Sequence, residues 1–286
     1  MSDSEVSLAA EHISYAVRDG VAHITLSRPE KRNALAAATR AELLTAFAAA
    51  GRDPAVGAVL LAGEGPDFCA GGDLTGAPKR ETLADHRAFL VEVDAFHAAV
   101  RDCPVPVIAA VHGNVLGAGL LLAASCDLVV AADTAVLGLP EGRIGLVGGT
   151  GLVAAVGRQW AKMLQLSGEL ISADRAAQIG LVLTCVPAAD LRSRTTELAE
   201  RLARMPREAT TLNKRAIDAV ADAADDPARR QAAIEHDAVT LDTAKRALAP
   251  DGRAFADIIA TEGMRGLKAA REQQWTEPWL PGAPGE

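Results

Sequence analysis

Aromatic residues are scarce in this chain: they make up 3% of its 286 residues, against 49% hydrophobic residues in all. The volume of a core must therefore come from alanine, valine and leucine. This composition predicts closely packed helices and sheets of small side chains. The length allows one large domain or two smaller ones, with a substantial core.

Long hydrophobic runs are missing as well. No eighteen consecutive residues are apolar, so we predict no transmembrane helix and no membrane partner. The N-terminal stretch 1–17 is polar and has neither a basic start nor an apolar segment, so we predict no targeting signal. We expect a cytoplasmic protein.

Paired cysteines and closely spaced histidines are also absent. The four cysteines are dispersed and none belongs to a C-x-x-C pair, which favours reduced thiols in a core. The six histidines are scattered without an H-x-x-x-H pair, so we predict no metal site.

Positive charge is in deficit. The formal net charge is −8 and no basic patch is visible, so we do not expect a nucleic-acid partner. An acidic protein can still bind an anionic ligand locally, through loop amides and a few lysines or arginines.

What the chain does contain is an alternation of apolar runs of strand length with amphipathic segments of helix length. Residues 13–27 predict a hairpin turning at Asp19-Gly20. Further strands are predicted at 55–63, 104–113, 127–133 and 181–187, and helices at 36–53, 81–103 and 152–168. From about residue 190 the pattern is helical throughout. This order predicts a parallel α/β core followed by an all-helical region.

Small-residue loops occur at three places, each after a strand or before a helix. They are "CAGGD" (69–73), "LGAG" (116–119) and the segment from "LPEG" to "GGTG" (139–151). Ligands of parallel α/β folds bind at the carboxyl ends of the strands, so three such loops at one edge would form one site. Each loop taken alone could also be a structural turn. A dinucleotide-binding loop at 117–119 is disfavoured, because its third glycine is replaced by Leu122.

Bare backbone amides suggest what this site could do. Two N–H groups aimed at one point stabilise an oxyanion. The amide of Ala118 opens a helix, where it has no partner within the helix and lies at the positive end of the dipole. Gly72, in the first loop, is the expected second donor. Such a pair would bind a carbonyl oxygen as it becomes an enolate.

Five stretches in order give the chain a strong resemblance to the enoyl-CoA hydratase/isomerase family, the crotonase superfamily. They are "ITLSRPEKRNAL", "FCAGGDL", "PVPVIAAVHGNVLGAGLLLAASCDLVVAAD", "LPEGRIGLVGG" and "SADRAAQIGLV". The resemblance implies an α/β fold: a spiral of ββα turns at 1–190 that binds acyl-CoA, and a helical region at 191–286 that mediates oligomerisation and covers the active site. It implies a homotrimer or a hexamer, a dimer of trimers.

The resemblance also implies the ligand, an acyl-CoA thioester whose oxygen lies between the N–H groups of Gly72 and Ala118. CoA is then part of the substrate and no separate cofactor is expected. Lys31 and Arg32 resemble the segment along the CoA phosphates, with solvated loop charges as the alternative. Lys268 and Trp275 are looser candidates for the adenine. The expected acyl-CoA-binding residues are Lys31, Arg32, Ala34, Ala70, Gly71, Asp73, Leu74, Gly117, Leu121 and Pro140, of which Asp73 could instead cap the segment after it.

One position departs from the hydratase pattern. Hydratases of this family use two glutamates, and here Glu141 is present whereas Leu121 occupies the other position. Leucine can neither bind water nor carry a proton. Glu141 alone can move a proton between two carbons, and an apolar pocket with Leu121 should raise its pKa. We therefore favour enoyl-CoA isomerase-type proton transfer. The alternatives are a hydratase that recruits another group, and an acyl-CoA-binding protein without catalysis.

Overall fold

The computed structural model describes residues 10–73, 79–222, 227–273, 275, 277–282 and 284. Leu74, one of the expected binding residues, lies outside them.

The chain opens on a hairpin of β1 (Ile13–Arg18) and β2 (Val21–Leu26), paired antiparallel. Asp19 and Gly20 between them have φ of 49° and 78°. Two left-handed residues in a row match the twist of a two-residue hairpin, so the predicted turn is confirmed.

The remaining strands are β3 (Ala58–Gly63), β4 (Val107–Val111), β5 (Asn114–Leu116), β6 (Leu128–Ala132), β7 (Val136–Gly138), β8 (Leu170–Ser172) and β9 (Thr184–Val186). Parallel strands extend the hairpin into a six-stranded sheet with the order β1-β2-β3-β4-β6-β9, in which every pair after the first is parallel. A second, three-stranded sheet has the order β5-β7-β8.

The sequence did not predict the second sheet. Its strands have three residues each and lie within or beside the glycine-rich loops, and such short pieces have no measurable period. Their pairing depends on partners far along the chain: β7 pairs in parallel with β5 and antiparallel with β8.

Nine α-helices occur in the described part of the chain. They are α1 (Ala37–Arg52), α2 (Leu83–Arg101), α3 (Ala118–Ala124), α4 (Val153–Ser167), α5 (Ala173–Gln178), α6 (Leu191–Ala203), α7 (Arg207–Asp222), α8 (Pro227–Ala244) and α9 (Phe255–Glu272). None of the described helices is long and apolar enough to cross a membrane.

The main sheet is buried on both faces, which explains why its strands are nearly continuous apolar runs. Alternate residues of each strand enter different clusters: Val59 and Leu61 join the large core, whereas Ala58 and Leu60 pack towards α6. Small side chains dominate both clusters, as the composition indicated.

The C-terminal helices return to the body of the same chain. Helix α8 packs along α2. Helix α9 packs against the turn 140–144, where Ile144, Phe255, Ile258 and Leu267 form a third apolar cluster. The loop that contains Glu141 is therefore supported from outside by the last described helix.

Candidate active site

The first loop is held in place by strand-like hydrogen bonds to the start of α1. Leu35 donates its N–H to the carbonyl of Gly71 at 2.8 Å, and Asp73 donates its N–H to the carbonyl of Leu35 at 3.1 Å. Ala70 donates its N–H to the carbonyl of Arg32 at 3.0 Å. The N–H of Gly72 lies between these bonds and takes no part in them. A Cβ on Gly72 would meet no atom of the described residues within 4 Å.

The second loop lies beside the first. Leu116 donates its N–H to the carbonyl of Cys69 at 3.0 Å, and Ala118 follows as the first residue of α3. The position that a Cβ on Gly71 would occupy is 4.0 Å from the amide nitrogen of Ala118. Within residues 10–73 and 79–222, which contain both loops, neither the Gly72 N–H nor the Ala118 N–H donates a hydrogen bond. The structure thus brings the two expected donors into adjacent loops and leaves both available.

Glu141 belongs to the third loop, in the 3-10 turn Pro140–Ile144, and the buried Pro140 opens this turn. The Glu141 carboxylate lies against Gly117, the residue before Ala118: a Cβ on Gly117 would be 2.9 Å and 3.0 Å from its two oxygens. Gly117 also has φ of 53°, and its N–H donates to the carbonyl of Gly138 at 3.0 Å. Only glycine fits a left-handed backbone in such close contact with a side chain. The carboxylate and the second amide donor are therefore neighbours.

The surroundings of Glu141 change its protonation. Burial raises the pKa of its carboxyl from 4.5 to about 7, and the positive charge of Arg271 on α9 opposes this rise. Leu121 supplies part of the apolar wall, as the contacts of Gly148 show. A Cβ on Gly148 would lie 3.4 Å from Cδ1 of Leu121 and 3.5 Å from the nearer carboxylate oxygen of Glu141, so both side chains adjoin the same point. The raised pKa that the sequence indicated is thus present, with desolvation as its main cause.

The expected CoA-side residues surround the short turn Pro29–Lys31. Lys31 and Arg32 are both exposed, and Ala34 is half-buried. Arg32 is not an isolated solvated charge, because its Nε donates to the buried carboxylate of Asp67 at 2.7 Å. Asp73 forms an ion pair with Arg28 at 3.1 Å, and the segment that it was suggested to cap begins in 74–78, outside the described residues.

Two residues that the sequence analysis did not single out fix this region. The side chain of Asn33 accepts from the N–H of Arg28 and donates to the carbonyls of Glu64 and Asp67. Its φ of 55° is one that asparagine tolerates better than most residues, which is a signal that "KRNAL" contains. The second, Asp67, accepts hydrogen bonds from the N–H and side chain of Asn114 as well as from Arg32. Asn33 and Asp67 join the turn Pro29–Lys31 to the first small-residue loop, 69–73.

The two looser candidates lie near the end of α9. Lys268 is exposed. The ring of Trp275 stacks on the guanidinium of Arg143 at 4.6 Å, and Arg143 also pairs with Glu272. Trp275 therefore packs against the turn that contains Glu141. Among the residues that the structure describes, no three histidine, cysteine or acidic side chains are grouped as metal ligands would be.

Comparison with known proteins fixes the family. The model of the enoyl-CoA hydratase/isomerase family matches residues 16–277. The chain belongs to the enoyl-CoA hydratase/isomerase family. It is 39% identical over 211 residues to a probable enoyl-CoA hydratase of Rhodobacter capsulatus. The matched region covers 72% of this chain and 81% of the relative. It is 38% identical over 189 residues to the 2,3-dehydroadipyl-CoA hydratase of Escherichia coli, covering 63% and 71%.

Solved structures of the enoyl-CoA hydratase/isomerase family agree with the fold. The crystal structure of an enoyl-CoA hydratase/isomerase from Xanthobacter autotrophicus Py2 superposes with a TM-score of 0.86 at 30% identity, over 94% of this chain and 100% of that one. The crotonase fold is thus confirmed, and the chain is an acyl-CoA enzyme of this family.

Proposed function

We propose that this family member catalyses isomerase-type proton transfer on an enoyl-CoA, with the thioester oxygen held by the N–H groups of Gly72 and Ala118 and with Glu141 as the only acid/base. One observation carries the proposal: Glu141 is a buried carboxyl with a pKa of about 7 that lies beside the second oxyanion loop and faces a leucine instead of a second carboxyl. A group with its pKa near neutrality can both take and return a proton.

The reaction then needs no other protonatable side chain. Glu141 takes a proton from C2 of a 3-enoyl thioester, and the electron pair of the broken C–H bond delocalises onto the thioester oxygen as a dienolate. The two N–H groups stabilise the charge that develops there. Glu141 returns its proton to C4, the carbonyl re-forms, and the product is the 2-enoyl thioester. The acyl-CoA brings its own CoA, so we propose no further cofactor.

Hydration of a 2-enoyl-CoA is the second candidate. The relatives reported above carry the word hydratase in their names. In this chain Leu121 stands where the first hydratase glutamate is expected, so hydration should be the slower of the two reactions.

Leu121→Glu tests this ranking. We expect the substitution to raise the rate of 2-enoyl-CoA hydration by about 10²-fold, since a second general acid/base is typically worth 10²–10⁴-fold. The measurement compares isomerisation of 3-hexenoyl-CoA with hydration of 2-hexenoyl-CoA in the wild type and the variant. Leu121→Gln, which is polar but cannot act as an acid or a base near neutral pH, is the matched control. A wild type that hydrates faster than it isomerises would contradict the isomerase assignment.

The pH profile should report the pKa of Glu141. The base is active when ionised, so kcat/KM for 3-enoyl-CoA should rise about tenfold per pH unit below pH 7 and level off above it. Initial rates between about pH 5 and pH 9 are the measurement. A rate that is already level at pH 5 would mean an ordinary, solvated carboxyl and would exclude the buried base.

The oligomeric state stays a prediction, a homotrimer or a hexamer. Its support is the helical region after residue 190, where α7 exposes several large apolar side chains. These include Leu212, Ile217 and Val220, which are 64%, 68% and 77% exposed in the single chain.

A further inference from the structure

Gln165 approaches the turn of Glu141 from α4. It follows the buried residues Ala161 and Leu164 on the inward face of this helix. Its Nε2 donates to the carbonyl of Leu146 at 2.6 Å, and the N–H of Leu146 donates to the carbonyl of Glu141 at 3.0 Å. The first bond fixes which end of the carboxamide is nitrogen, so the position of Oε1 is determined.

The Oε1 atom of Gln165 is buried and has no hydrogen-bond partner among the residues that the structure describes. It lies 3.6 Å from the position that a Cβ on Gly148 would occupy. The nearer carboxylate oxygen of Glu141 lies 3.5 Å from the same point, and Cδ1 of Leu121 lies 3.4 Å from it. Two acceptor oxygens and a leucine methyl thus surround Gly148. Leaving a buried acceptor without a hydrogen bond costs about 1–3 kcal/mol, so this unpaired amide oxygen requires an explanation.

Hydrogen-bonding chemistry restricts what can satisfy both oxygens. Glu141 must be ionised to take a proton from water; in that state its carboxylate has no proton to offer, and an amide oxygen is an acceptor only. A water molecule has two O–H donors and can bind one acceptor with each, after which its lone pairs point away from both. The close packing of α4 against the third loop keeps this geometry. A Cβ on Gly142, in the turn, would overlap the carbonyl oxygen of Gln165, and a Cβ on Gly149 would be 2.6 Å from Cβ of Gln165.

We propose that Gln165 is a positioning residue for the hydration of 2-enoyl thioesters, the second candidate reaction above: its Oε1 and the Glu141 carboxylate together hold the attacking water molecule. Gln165 is then the group that substitutes for the missing glutamate at position 121. It orients the water, and Glu141 performs all proton transfer.

The reaction balances with Glu141 as its only protonatable group. The water oxygen forms a bond to C3, the C2=C3 π bond breaks, and its electron pair passes to the thioester oxygen as an enolate. One water proton goes to Glu141 and the other stays on the new hydroxyl. Glu141 then delivers its proton to C2, and the thioester carbonyl re-forms.

The test separates water addition from proton transfer. Exchange of the α-protons of hexanoyl-CoA with deuterated solvent needs only the oxyanion donors and Glu141, whereas hydration of 2-hexenoyl-CoA needs Gln165 as well. For Gln165→Leu we expect hydration to fall by about 10²-fold and exchange to change less than about threefold. Gln165→Glu retains an acceptor oxygen and should retain hydration. Gln159→Leu, an exposed glutamine of the same helix, is the control.

Three outcomes would overturn the water site. A wild type that exchanges α-protons but hydrates no 2-enoyl-CoA has no such water. A Gln165→Leu variant that hydrates like the wild type does not use the amide oxygen. A variant that loses exchange and hydration equally shows that Gln165 only holds the turn of Glu141. The inference rests on the proposed role of Glu141, but a wild type without α-proton exchange would refute that role itself.

Discussion

Glu141→Gln is expected to lower the isomerisation of 3-enoyl-CoA by about 10³-fold, within the usual range for removing a general acid/base. Glutamine has the shape of the neutral acid but carries no transferable proton. Among the described residues, the place of the other hydratase glutamate is taken by Leu121, whose Cδ1 atom lies 3.4 Å from the position of a Cβ on Gly148, the same point that the Glu141 carboxylate approaches to 3.5 Å. The measurement is the appearance of the 2-enoyl thioester, together with α-proton exchange of a saturated acyl-CoA.

Stability provides an internal control for this variant. The pKa of Glu141 is raised from 4.5 to about 7 by burial, so the ionised form destabilises the folded state as the pH rises through this range. Above pH 7, Glu141→Gln should therefore be more stable than the wild type by up to about 3 kcal/mol, and the difference should vanish below about pH 4.5. Glu208→Gln, at an exposed position of α7, should change neither rate nor stability. Equal isomerisation rates for wild type and Glu141→Gln would refute the assignment.

Ala118→Pro should remove one oxyanion donor without altering the backbone. Ala118 is the first residue of α3, a position where proline is well accommodated because its missing N–H would have no helical partner. Loss of one such donor typically costs about 10²–10³-fold in kcat. We expect at least this loss in isomerisation, and weaker acyl-CoA binding as well, because the proline Cδ takes the place of the N–H hydrogen that would point at the thioester oxygen.

Ala37→Pro is the matched control for that experiment. Ala37 is likewise the first residue of a helix, α1, follows an extended residue, and is exposed. Circular dichroism and thermal unfolding of both variants show whether the fold is retained. A folded Ala118→Pro protein with wild-type isomerisation would mean that the Ala118 N–H does not bind the reacting oxygen.

The sequence by itself predicted much of the main sheet. Apolar runs identified its parallel strands, because strands buried on both faces must be apolar on both. Asp19-Gly20 determined the hairpin, because few residue pairs accept two left-handed conformations in succession. Family motifs identified the crotonase fold. Leu121, in the place of a hydratase glutamate, predicts that hydration is the weaker reaction, and this stays a prediction.

The tertiary structure alone decided the contacts between segments far apart in the chain. The second sheet depends on pairing of β5 with β7 across an intervening helix, which no local pattern encodes. The pKa of Glu141 depends on its degree of burial, which raises it, and on the positive charge of Arg271, which lowers it and whose distance along the chain gives no hint of proximity. Gln165 is a polar residue on the inward face of α4. Only the packing of α4 against the turn of Glu141 shows that its amide oxygen lies near the Glu141 carboxylate. Local patterns specify conformation, whereas burial and long-range hydrogen bonds depend on which surfaces meet.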